Sequence, residues 1–108
     1  MLIEGKKANI KKVGPMEIRE YKINKDYSGA LIEINGDHGR TKSLKEDRIY
    51  FILGGDGVFE IDGRKLKVNK NDLIFIPANM GYNIIGKLKY FLVCSPEFNT
   101  KNSVSLKD

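Results

Sequence analysis

Residues 48–63 read RIYFILGGDGVFEIDG, and this stretch decides the fold class. Two runs rich in Ile, Leu, Phe and Val, 49–53 and 58–61, have the residue types that suit a pleated strand. Between them, Gly54-Gly55-Asp56-Gly57 predicts a tight reversal, because glycine enters the backbone region of such a turn at little cost. Asp62-Gly63 is a two-residue hairpin signal, since both residue types tolerate positive φ.

Outward from this stretch the same pattern repeats. Short β-type runs stand at 17–23, 29–34, 41–44, 65–68, 73–76, 82–85 and 88–95. Asn35-Gly36-Asp37-His38-Gly39 and Asn69-Lys70-Asn71-Asp72 have loop chemistry. Pro77 closes the 73–76 run where a missing N–H does no harm. Helical periodicity is nearly absent, and many short strands with regular turn signals predict an all-β barrel that removes its sheet edges by closing. The first fifteen residues read as an arm able to add a strand to a neighbour. The polar tail after Pro96 reads as frayed.

A length of 108 residues allows one domain, expected to span 1–108 with its barrel core at about 16–96. A hydrophobic content of 41% is enough for one core. The net charge of +5 comes from scattered lysines, without an arginine-rich stripe, an aromatic platform or a recognition helix, so no nucleic-acid partner is expected. The longest apolar runs are too short to span a bilayer, so no membrane partner is expected. The N-terminus turns charged at Glu4, Lys6 and Lys7 before any long apolar run, and no signal peptide is expected. One cysteine, Cys94, excludes an intrachain disulfide; it lies in an apolar run and reads as a core residue, and the lack of disulfides fits a cytoplasmic setting.

The segments 48–63 and 71–82 (NDLIFIPANMGY) resemble the cupin superfamily. The likeness covers roughly residues 29–95 and implies a cupin-type jelly-roll barrel. Laid from Gly36, the family's first motif falls on Lys42, Leu44, Arg48 and Gly55. Laid from Asn71, its second falls on Pro77, Asn79, Tyr82 and Gly86. In the family, histidines and a glutamate at four of these places hold a divalent metal. Here the four read Lys42, Leu44, Arg48 and Tyr82, two cations, an alkyl chain and a phenol, so neither a metal nor another cofactor is expected. The single histidine, His38, cannot supply a ligand set alone and reads as a loop residue, with a general acid or base at the barrel mouth as the alternative.

Strand alternation then assigns faces. With Arg48 inward, Tyr50 and Ile52 point in, while Ile49, Phe51 and Leu53 point out toward a second sheet or a partner copy; a homodimer is expected. Lys42 and Leu44 share a face with Arg40 near the mouth, Tyr82 reaches across, and Phe75 supplies wall. The ligand-binding candidates are therefore Lys42, Arg48, Tyr50, Tyr82, Arg40 and Phe75. A buried cation needs a balancing charge. A small anionic molecule (a carboxylate, sugar or sugar phosphate) supplies it in one account; Glu46, Asp47, Glu33 or Asp37 supplies it internally in another; in a third, Lys42 or Arg48 lies outside.

Three functions stay open. The first is a metal-free cupin that binds a small anionic metabolite. The second is a metal-independent sugar or keto-acid isomerase or epimerase using Tyr82, Tyr50 and His38, for which a tyrosine base needs a nearby cation to lower its pKa. The third is a dimeric scaffold with a plugged barrel.

Overall fold

The structure, a computed structural model, describes residues 1–106. It holds nine strands: β1 (Asn9–Val13), β2 (Met16–Lys22), β3 (Ser28–Asp37), β4 (Thr41–Ser43), β5 (Asp47–Ile61), β6 (Arg64–Val68), β7 (Leu73–Ile76), β8 (Tyr82–Ser95) and β9 (Ser103–Ser105). Among the described residues, helix is limited to two 3-10 turns, Gly5–Lys7 and Thr100–Asn102. The all-β expectation holds. The strands form one curled sheet in the order β1-β2-β3-β8-β4-β9, with β5 on the other edge of β8 and β6 and β7 paired to β5. Every pairing is antiparallel.

Strand β8 is the spine. Residues 85–94 pair with β3, and 82–95 pair with β5. Inward side chains from all three, among them Ile32, Ile34, Ile52, Phe59, Ile84, Leu88 and Tyr90, fill the core. Tyr50 meets Phe59 at 5.1 Å and Tyr90 at 5.2 Å between ring centroids, both edge to face. Such pairs add about 0.5–1.5 kcal/mol each beyond the area they bury.

Asn35, Gly36 and Asp37, expected in a loop, instead extend β3 and pair with 85–87 of β8. Three larger expectations also need correction. The run 54–57 is no reversal: β5 continues through it and carries a bulge between Ile52 and Gly54. Gly55 sits at φ 98°, and a Cβ there would run into the Lys87 carbonyl, so the glycine serves close strand approach. The extra residue also flips the alternation, from Arg48, Tyr50 and Ile52 inward before it to Phe59 inward after it. The runs 82–85 and 88–95 likewise join into one strand through Gly86 at φ 136°, packed against Asp56 and Gly57 of β5.

The second correction concerns the N-terminal arm. β1 folds back on β2 of its own chain, from Asn9 opposite Glu20 to Val13 opposite Met16. The third concerns the tail. Residues 103–105 add β9 to β4, pairing Lys42 with Val104, and the Leu106 N–H donates to the Arg40 carbonyl. A polar sequence carried no periodic signal for this strand, because its backbone partner lies 60 residues away in the chain. The Asp62-Gly63 hairpin forms as expected, with both residues at positive φ and Ile61 facing Arg64.

Candidate functional site

The curl of the sheet encloses a cavity of about 310 Å³. Ile18, Ala30, Ile32 and Leu92 form much of its wall, and the tail closes part of it through Phe98 and Ser103. Arg48, Tyr50, His38, Thr41 and Ser103 make one end polar, and Lys11, Glu20, Lys22 and Glu97 also line the cavity.

Arg48 anchors that end. It is 4% exposed, and its Nη2 donates to Glu46 Oε1 at 3.0 Å and to Ser103 Oγ at 2.9 Å. Its Nη1 donates to the Tyr82 hydroxyl at 2.7 Å. The guanidinium lies over the Phe98 ring at 5.4 Å, a cation–π contact that partly replaces its water shell. Burial works against the charge, and Tyr82, Tyr50 and Glu46 outweigh it, so the arginine stays protonated. Glu46 is fully buried, and its second oxygen accepts from Asn102 Nδ2 at 2.8 Å. The internal-pairing alternative is therefore the one observed: the cation of Arg48 is balanced by the chain itself.

Tyr50 and Tyr82 extend the network, with hydroxyls 2.6 Å apart. Burial pushes the Tyr50 hydroxyl well above the usual phenol range, with Tyr82 and Tyr90 adding to the rise and Arg48 opposing it. Tyr50 is thus a proton donor at neutral pH; the nearby cation does not make it a base. Tyr82 stacks on His38 at 6.2 Å between ring centroids. The His38 ring lines the cavity, half-buried, and its Nδ1 sits 2.8 Å from the Gly39 carbonyl. A carbonyl only accepts, so Nδ1 carries the hydrogen and Nε2 is the free lone pair of the neutral ring.

Arg48 and Tyr50 line the cavity, and Tyr82 stands behind them, buried and bonded to both. Lys42, Arg40 and Phe75 lie elsewhere. In β4 the buried positions are Thr41 and Ser43; Lys42 is half-buried on the opposite face, and Leu44 is 44% exposed. The Ser43 hydroxyl accepts from the N–H groups of Lys45 and Glu46, and this turn resets the phase between β4 and β5. An inward Arg48 therefore does not imply an inward Lys42. Arg40 is exposed, outside the cavity lining. Phe75 is 52% exposed on the outer face opposite Ile49.

The donor set does not suit the divalent metal that the fold family implies. A protonated arginine sits at the floor, Lys42 and Leu44 face away, and among the described residues no three His, Cys, Asp or Glu side chains converge. Sequence reading weighed Glu46 only as one of four partners and missed Ser103, Asn102 and Phe98. The Ser43 hydroxyl fixes the backbone of the Ser43–Glu46 turn, but the partners of the Glu46 carboxylate, Arg48 and Asn102, come from β5 and the tail.

No family model matches the chain. A curated relative, an uncharacterised protein of Methanocaldococcus jannaschii, is 27% identical over 74 residues, 67% of this chain. The chain spans 59% of that relative's length. Structural likeness goes further. An RmlC-like cupin from Shewanella frigidimarina superposes with a TM-score of 0.77 at 15% identity, over 87% of this chain and 88% of that one. The chain has the cupin-type barrel fold. The nucleoside dehydratase Pac13 of Streptomyces shares this cupin barrel with a TM-score of 0.91 at 16% identity, over 99% of this chain and 91% of that one. Solved forms of Pac13 include two Tyr→Phe variants and a His→Gln variant, each with uridine. KdgF from a Halomonas species matches the cupin barrel with a TM-score of 0.83 at 12% identity, over 94% of this chain and 97% of that one. Among the described residues, no helix is long and apolar enough to cross a membrane.

Proposed function

We propose that this chain binds a small hydroxylated metabolite of the sugar or nucleoside class inside its barrel, without a metal. One observation carries this: a mostly apolar cavity of about 310 Å³ into which Arg48, Tyr50, His38, Thr41 and Ser103 bring a group of polar atoms, with Lys11, Glu20, Lys22 and Glu97 also in its lining. Small-molecule sites combine apolar walls with a few convergent polar groups, and this volume lies near the lower limit of their range, so the ligand is small. Pac13, a barrel of the same fold solved with uridine, supports the class. Because Glu46 neutralises Arg48, recognition rests on hydrogen bonding more than on charge, and anionic sugars serve as the comparison. In this proposal two copies pair through the outer face of β5, and the chain works in the cytoplasm.

Thermal-shift measurements with uridine, glucose and glucuronate test the proposal. A ligand present at a hundred times its Kd stabilises by about 2.7 kcal/mol, a clear rise in Tm. Ala30→Leu, which fills the cavity from β3, should abolish the rise without unfolding the protein. No rise with any sugar or nucleoside at millimolar concentration would overturn the proposal.

His38 favours a second reading, a metal-independent isomerase or epimerase. Its Nδ1–H is tied to Gly39, which fixes Nε2 as the base, while Tyr50 stands as donor in the same cavity. Exchange of a substrate carbon-bound hydrogen for deuterium, followed by NMR, should survive chelation and be lost in His38→Gln. Exchange that stops on chelation would refute it.

A further inference from the structure

We infer that the Tyr50 hydroxyl is the terminal donor of a one-directional hydrogen-bond chain, and that with His38 as acceptor it selects an uncharged ligand carrying an acceptor oxygen beside a hydroxyl. This rests on the cavity being a binding site and specifies what the site recognises.

The direction follows from counting protons. A guanidinium can only donate, so Arg48 gives a hydrogen to the Tyr82 oxygen at 2.7 Å. The 2.6 Å contact between Tyr82 and Tyr50 permits either donor. If Tyr50 donated, the Tyr82 hydrogen would be left in a buried position where no other acceptor meets it among the described contacts. Buried hydroxyls are rarely left so. If Tyr82 donates, its hydrogen is used, and the remaining hydrogen belongs to Tyr50, which lines the cavity while Tyr82 does not. The bonds then run from Arg48 to Tyr82 to Tyr50 and end on the ligand. Each link polarises the next, so the cation behind the chain strengthens the last O–H as a donor.

The other polar groups of the floor set the rest of the selection. Thr41 Oγ1 spends its hydrogen on the Val104 carbonyl and presents only lone pairs. His38 Nε2 does the same once Nδ1 is tied to Gly39. Ser103 Oγ accepts from Arg48 and keeps its own hydrogen to give. Donors and acceptors are therefore mixed. A polyol or hydroxy-carbonyl compound matches both, whereas a carboxylate offers acceptors only and would meet the lone pairs of His38 and Thr41 with Glu46 behind Arg48.

Two measurements test this. In protein carrying ring 13C-labelled tyrosine, the slowly exchanging hydroxyl proton should couple to the Tyr82 ring carbons, and the Tyr50 hydroxyl proton should exchange faster. A slow proton on Tyr50 reverses the chain and overturns the inference, whether or not a ligand is known. Calorimetric titration then compares uridine and glucose with orotate and glucuronate. The uncharged member of each pair should bind more tightly, and Tyr50→Phe should weaken it by about tenfold, the worth of one good hydrogen bond. Tighter binding of the carboxylates, or unchanged binding by Tyr50→Phe, overturns it. If none of the four probes binds, the sugar or nucleoside class falls, and the NMR assignment alone decides the order of the chain.

Discussion

The two faces of β5 are built from neighbouring residues and have opposite characters. Inward, Arg48 and Tyr50 join a buried network in which most polar groups have a partner. Outward, Ile49, Phe51 and Leu53 are exposed and extend across the pairing with β7 to Leu73 and Phe75. The inner face is costly to disturb because its groups depend on one another for charge and hydrogen bonds. The outer face is a continuous apolar surface that burial against another copy would satisfy. Period-two alternation puts both on one strand, and a one-residue slip would exchange them.

The inner face is most sensitive at Arg48. Arg48→Met leaves the Glu46 carboxylate buried without its cation, and the expected loss is about 3–5 kcal/mol. Arg48→Met combined with Glu46→Leu should recover much of that loss, because no buried charge is left unpaired. Chemical denaturation of the two variants checks this; equal losses would mean that the pair is not coupled.

Next comes the bulge that ends the inward run. Gly55→Ala forces a Cβ against the Lys87 carbonyl at positive φ, with an expected cost on the order of 1–3 kcal/mol. A thermal melt reads it, and an unchanged Tm would show that the approach of β5 to β8 at Gly55 is not close. On the outer face, Phe51→Asp should change the stability of a single copy by no more than about 0.5 kcal/mol, as exposed substitutions usually do, while abolishing self-association. Analytical ultracentrifugation of wild type and variant decides it, and a monomeric wild type would remove the proposed dimer.

The smallest effect is at the rim. Asp37 accepts from Asn83 Nδ2 and from the Gly39 N–H, and these bonds hold its carboxyl below the usual carboxylate range. A lowered folded-state pKa stabilises the fold above the unfolded value of about 3.9, and that contribution fades as pH falls through the folded value. The Tm gap between wild type and Asp37→Asn should therefore narrow as pH drops from 6 toward 2. A gap that widens would contradict the assignment.

Much of the barrel was legible in local sequence. β7 has the boundaries its sequence pattern predicts, and the Asp62-Gly63 turn behaves as its residue types demand. The facing of Arg48, Tyr50 and Ile52 follows from alternation within one uninterrupted run. Lys42 was misplaced for the complementary reason: phase does not carry across a turn, and the Ser43–Glu46 turn reset it. The glycines at 54–57 were ambiguous, since the same freedom permits a reversal or a bulge, and only the presence of β8 alongside selects the bulge.

What the sequence determined by itself was the class of fold: short β runs with turn residues between them, a glycine and proline framework laid out as in cupins, and Lys42, Leu44, Arg48 and Tyr82 where that family keeps metal ligands. What only the tertiary structure decided was the composition of the site. Glu46, Asn102, Ser103 and Phe98 come together around Arg48 from a turn and from a tail that looked frayed. The physical reason is that propensity and periodicity are properties of neighbours in the chain, whereas the partner of a buried charge is set by which distant segments the closed sheet brings within hydrogen-bond reach.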